Sequence, residues 1–174
     1  MAHPNQPNTS PGVGDGEPLA LTEKQRILCD RLDQLYVAAG RTGSIPSELF
    51  RGALCTIQLR ARNPDWMAQS AHSLRELLYP FDTKSARRDA LSRYGAAGDA
   101  DALSKDIWVH YGFMTNVAHH NWDGALKNPF VKTASITNIN DRVAVYEAAL
   151  FAFEDVLFQA LRRQLAQLIE RHLS

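Results

Sequence analysis

Cysteine is scarce in this chain: Cys29 and Cys55 are the two in 174 residues, in neither a Cys-x-x-Cys pair nor a zinc-like spacing. That argues against a thiolate-bound metal. Excess charge of either sign is missing as well. Nineteen Lys and Arg stand against 19 Asp and Glu, a formal net charge of +0, so no global field draws in nucleic acid or anionic lipid. RNA contact then needs a local basic patch. Arg87, Arg88 and Arg93, or Arg162 and Arg163, supply candidates, against the plainer reading of solvated helix faces. There is no strand-like alternation, no internal repeat and no glycine-rich phosphate loop. No apolar run is long enough to span a bilayer, and the first twenty residues hold none of signal-peptide length. The expectation is a cytoplasmic protein with no membrane partner and no cofactor.

What remains is a helical pattern. At 45% hydrophobic, the chain has enough apolar side chains for one domain with its own core. Residues 1–20, rich in Pro, Gly, Asn and Ser, read as a disordered tail. Residues 21–174 read as a single all-α bundle of five or six helices. Thr22 and Gln25 match a capping box at the first helix, which Gly40 closes. A second helix starts after Ser44 with Pro46 in its first turn and runs to about Ala61. Asn63 and Pro64 open a third as cap and first residue, and Pro80 stops it. A basic amphipathic fourth is expected over roughly Thr83–Tyr94. The fifth, about Asp99–His119, is apolar nearly all round and therefore central; Trp108, Phe113 and Trp122 are expected in the core. Asn121–Asn138, with Asp123-Gly124 and Asn128-Pro129, reads as a long loop. A long C-terminal helix is expected from near Asn140 to Leu173. Leu161, Leu165, Leu168, Ile169 and Leu173 form one stripe there, suited to a homodimer or a partner protein. Both cysteines lie on apolar stripes and are expected to be buried.

The chemistry-bearing residues gather in two segments. Thr115-Asn116-Val117-Ala118-His119-His120 closes the central helix, and His72, Arg75 and Glu76 share one face of the third. Successive residues turn about 100°, so the rings of His119 and His120 point apart and cannot chelate one metal well; no metal is expected. If the two helices are neighbours, His72 and Arg75 meet His119 or His120. A base, an acid and a cation then stand together, the three parts metal-free RNA cleavage needs. Asn116 is placed to bond an imidazole or a phosphate oxygen, and Glu76 to hold His72 or Arg75. The competing structural readings are a buried His110, a buried His72, and a His119-His120 pair that serves only the helix terminus.

Asn63-Pro64-Asp65, then Ala71-His72-Ser73-Leu74-Arg75-Glu76-Leu77, with Ala118-His119-His120 downstream, resembles the predicted nucleases that accompany prokaryotic Piwi-type proteins. More broadly it is similar to the HEPN superfamily of helical nucleases. The resemblance covers about residues 21–172. It implies an all-α bundle, often a homodimer, acting as an endoribonuclease in a prokaryotic defence or toxin–antitoxin system. The superfamily's signature is an Arg, an adjoining polar residue and a later His. Asn116 and His120 match the last two, whereas Thr115 occupies the Arg position. Without that guanidinium, the charge-stabilising element must come from elsewhere, with Arg75 or Lys105 the nearest sources. The expected site is thus His119, His120, Asn116, His72 and Arg75 as catalytic residues, with Glu76, Thr115 and Lys105 as substrate contacts. The alternative is a HEPN-like helical binding module without catalysis.

Overall fold

The computed structural model describes residues 19–38, 45–78, 97–129, 131 and 136–173, and the side chains of most of these. All regular structure among them is helical: α1 (Glu23–Ala38), α2 (Pro46–Gln58), α3 (Trp66–Leu78), α4 (Ala97–Ala118), α5 (Trp122–Leu126) and α6 (Ile139–Leu173). Neighbours in space follow the order α1, α2, α3, α4, α6 and back to α1, so the long helices close a ring around one core. The short α5 lies against α4. The fold is the expected all-α bundle with a long C-terminal helix.

Local chemistry sets most of the helix starts. Thr22 and Gln25 form the capping box: Thr22 N–H donates to Gln25 Oε1 (3.0 Å) and Gln25 N–H to Thr22 Oγ1 (3.2 Å). No side chain of its own segment caps α2. Asp33 of α1 does so instead, accepting from Ser47 N–H (3.0 Å) and Ser47 Oγ–H (2.7 Å). That cap also fixes α1 against α2. Asn63 Oδ1 accepts from Asp65 N–H (3.0 Å) at the approach to α3, although the helix itself starts at Trp66 rather than at Pro64. At α6, Asp141 accepts from Thr137 N–H, Thr137 Oγ1–H and Asn138 N–H. The Thr137 amide, first among these donors, holds its carboxyl below the ordinary range.

The core is apolar and continuous. Leu28, Leu32, Phe50, Leu74, Leu77, Phe113, Met114, Tyr146 and Phe153 are all but sealed from water. Each such side chain contributes roughly 1.5–3 kcal/mol by burial. Tyr146 donates its hydroxyl to Ser70 Oγ (2.9 Å) inside this core, and burial pushes the phenol well above its ordinary value. Along the α1–α6 seam, Gln25 donates to the buried Glu154 (2.7 Å) beside the Lys24–Asp155 pair (2.6 Å). Burial raises the Glu154 carboxyl, and the Gln25 hydrogen bond opposes the rise.

Several expectations are corrected. The 121–138 segment is not loop throughout: Asn121 Oδ1 accepts from Gly124 N–H (3.0 Å) and caps the one-turn helix α5. Cys55 is exposed, because it falls on the solvent side of α2; Cys29 alone is buried. Trp108 is not core but 48% exposed, and Trp122 is half-buried under the Arg142 guanidinium (5.5 Å to the ring centre). Helix α2 ends at Gln58, three residues before Ala61. Leu19, assigned to the tail, packs against the core. The expected helix over 83–94, the cap at Gly40, the stop at Pro80, and the Leu161–Leu173 side-chain stripe lie outside the described residues. No helix among the described residues is long and apolar enough to cross a membrane.

Candidate functional site

Helices α3 and α4 are direct neighbours, and their contact places the two polar segments together. Arg75, in the last turn of α3, is the hub. One of its terminal nitrogens lies 3.3 Å from His119 Nε2, the other 3.3 Å from His72 Nδ1. The guanidinium is held from behind by Glu76 Oε1, at 3.1 Å from Nε and 2.6 Å from a terminal nitrogen. His72 and His119 are both exposed, while the Arg75 side chain is 19% exposed. The cluster is therefore open to solvent on its imidazole side, with the cation half sunk between the rings.

Arginine carries donors only. The ring nitrogen facing it must offer a lone pair, so this geometry assigns neutral rings protonated at Nδ1 of His119 and Nε2 of His72. Two neutral imidazoles flanking a cation is an arrangement an anion can reorganise, because a phosphate oxygen attracts a guanidinium more strongly than a neutral ring nitrogen does.

The end of α4 is shaped by an unusual residue. His120 has a φ of 57°, the left-handed region. Its N–H donates to Val117 O (2.9 Å), and the N–H of Asn121 donates to Asn116 O (2.8 Å). That is the paired bonding of a Schellman turn, in which glycine is the usual occupant of the left-handed position. His120 instead reaches Asp65 (Nε2 to Oδ1, 3.4 Å). Asp65 immediately precedes α3 and Arg75 lies in its last turn, about 15 Å apart along the helix. The adjoining rings of His119 and His120 are thus drawn towards opposite ends of α3. His119 joins the cluster; His120 does not.

Asn116 also has a different place from the expected one. It bonds neither imidazole. Its Nδ2 donates to Gly112 O (3.0 Å), and its Oδ1 accepts from Asn121 Nδ2 (2.9 Å). Gly124 packs so closely here that a Cβ on it would stand 2.5 Å from Asn116 Oδ1 and 2.6 Å from Asn121 Nδ2. Asn116, Asn121 and Gly124 together fix the turn from α4 into α5, which aims both histidines. Thr115 Oγ1 is buried and has no hydrogen-bond partner, so it offers no bond to a ligand. Lys105 is exposed on α4, fourteen residues before His119 and so about 20 Å away along the axis. It is not part of the cluster.

Asp65, Asn121 and Gly124 were not expected here. Asp65 pairs across helices, which no local pattern shows. Asn121 three residues before Gly124 carried the local signal of a cap. His110 is the buried core histidine, edge-on to Phe153 (5.9 Å between ring centres), and burial lowers it to about 4. His72 is exposed, against the reading of it as core. Among the described residues no three His, Cys, Asp or Glu side chains converge as a metal set. No family model, curated protein or solved structure matches the chain.

Proposed function

We propose that this chain is a HEPN-like, metal-independent endoribonuclease of the kind found in prokaryotic defence or toxin–antitoxin systems. The supporting observation is the bridge His72–Arg75–His119, which sets a cation between two solvent-open imidazoles. In the proposed reaction, one imidazole takes the proton of a ribose 2′-hydroxyl as its oxygen attacks the adjacent phosphorus. The other gives a proton to the departing 5′-oxygen, and Arg75 stabilises the charge that builds on the phosphorane. The products are a 2′,3′-cyclic phosphate and a 5′-hydroxyl. Arg75 thereby fills the role that Thr115 cannot. Asn116 positions His119 from the corner, and Glu76 orients Arg75.

The test is cleavage of single-stranded RNA in excess chelator, scored by cyclic-phosphate ends. His72→Ala and His119→Ala are each expected to lose roughly 10²- to 10⁴-fold. Arg75→Lys keeps the charge but cannot bridge two rings, and is expected to lose on the order of 10²-fold. A second reading, a binding module without catalysis, is favoured by the sealed Thr115 hydroxyl at the position the superfamily fills with Arg. It predicts RNA or protein binding with no cyclic-phosphate ends. Cleavage that is absent, or equal in wild type and His119→Ala, leaves that reading standing.

A further inference from the structure

We propose that the outer face of α4 is a track for single-stranded RNA, with a base stacked on Trp108 and the strand leading to His119. This rests on the ribonuclease reading of the His72–Arg75–His119 cluster. Lys105, Trp108, Gly112, Thr115 and His119 follow one another at steps of three, four, three and four residues. That spacing puts them on one stripe of the helix. Lys105 and His119 are exposed, and Trp108 keeps about half of a large indole in water. The indole is braced rather than loose: it stacks on Tyr111, with ring centres 5.7 Å apart and planes 14° from parallel. Among the described residues of α4, little side chain rises between it and the imidazole. Gly112 has none, and the nearest atom to where its Cβ would stand is Asn128 Nδ2 at 4.0 Å; Thr115 is half-buried with its hydroxyl sealed.

The stripe therefore presents a cation, an aromatic plane, a low floor and the site imidazole in a line. Trp108 stands eleven residues before His119, about 16 Å along the axis. A stacked strand advances about 3.4 Å per nucleotide, so the track spans roughly five stacked nucleotides, or fewer if the strand is extended. Stacking on an aromatic plane is indifferent to base identity, and a nearby lysine supplies the phosphate contact. For a chain with net charge +0, affinity for a polyanion has to come from local features, and this strip supplies one cation beside an aromatic plane. It also gives Lys105 a role at the far end of the strand rather than at the scissile phosphate.

The experiment uses the full chain and two probes: a fluorescein-labelled 2′-O-methyl single strand of about twelve nucleotides, which cannot be cleaved through its 2′-oxygen, and a cleavable dinucleotide. Trp108→Ala is expected to weaken anisotropy-measured binding of the long strand roughly five- to hundred-fold. Trp108→Phe is expected to retain most of the affinity, and in Trp108→Ala the ratio of long-RNA to dinucleotide cleavage is expected to fall. A folded Trp108→Ala protein that binds the long strand like wild type overturns the track, as does equal affinity for a duplex or no binding by wild type. The two readings fail separately. Trp108-dependent binding without His119-dependent cleavage supports the track and removes the nuclease; His119-dependent cleavage of long RNA indifferent to Trp108 does the reverse.

Discussion

Replacing His120 by glycine should make the protein more stable than replacing it by alanine, and on the proposed ribonuclease reading neither change should abolish cleavage. His120 sits at a φ of 57°. A residue with a Cβ pays roughly 1–2 kcal/mol for that left-handed conformation. Glycine escapes the penalty but loses about 0.4–1 kcal/mol more chain entropy on folding. Both variants delete the His120–Asp65 pair, so its contribution cancels in the comparison. It is small in any case, with side chains 68% and 46% exposed. Glycine should therefore exceed alanine by about 1 kcal/mol, or 2–4 °C in Tm for a domain of this size. Thermal and urea unfolding of the two variants, in salt high enough to screen exposed charges, measures the difference. Alanine equal to or better than glycine would refute the strained-corner account of α4. The same proteins test the roles that the proposed mechanism gives the two histidines. Because His120 turns to Asp65 and away from Arg75, both variants should keep cleavage within about tenfold, whereas His119→Ala should lose at least ~10²-fold. A loss in His120→Gly as deep as that of His119→Ala would move the reacting group to His120.

Two further expectations concern stability. Gly124→Ala should destabilise the corner, since its Cβ would meet Asn116 and Asn121 at 2.5–2.6 Å; Gly112→Ala, with nothing closer than 4.0 Å, should stabilise α4 by about 0.5–1 kcal/mol, and paired urea melts check the opposite signs. His110 is lowered from 6.5 to about 4 by burial, so between those values the unfolded chain holds a proton that the folded chain does not. Its contribution is complete above pH 6.5 and is lost as pH falls towards 4, amounting to about 3 kcal/mol. Urea midpoints across this range should flatten in His110→Gln, and an unchanged slope would show that other groups carry the acid sensitivity.

The features that could be read from the sequence are those whose partners lie within one helical turn, or whose helices had only to be adjacent. The Thr22–Gln25 box and the Asn63 turn are local, and both form. His72 and Arg75 share a face by their spacing alone, so one further fact, that α3 touches α4, was enough to bring them to His119. Where the partner came from another element, or the local signal was ambiguous, the reading went astray. Nothing near Ser47 says that Asp33 will cap it. Nothing in His119-His120 says that the chain turns left-handed at the second residue and divides the pair between two ends of α3. Asp123-Gly124 is a good turn signal, yet the glycine is there because Asn116 and Asn121 leave no room for a Cβ. Trp108 looked like core because α4 is apolar on most faces; its exposure depends on which face the ring of helices encloses.

On the proposed ribonuclease reading, the hydrogen bonds of Arg75 set what a phosphodiester must do on arrival. A guanidinium has five N–H donors. Here two point to Glu76, one to His72 and one to His119, which leaves one uncommitted. A phosphodiester approaching the imidazoles therefore competes for donors already in use. It wins those facing the neutral rings, since a charged acceptor outbids an uncharged one, and it loses to Glu76, whose carboxylate is also charged and lies at 2.6 Å. The exchange frees Nε2 of His119 and Nδ1 of His72, the two nitrogens already turned towards the phosphate. One must then bear a proton as general acid while the other stays bare as general base. Glu76 keeps the guanidinium anchored during the exchange. Glu76→Gln removes that competing charge, and on this reasoning should tighten phosphate binding while lowering turnover, because Arg75 would then follow the phosphate instead of holding it between the rings. A rise in KM with turnover unchanged would mean that Glu76 does not anchor the cation at all.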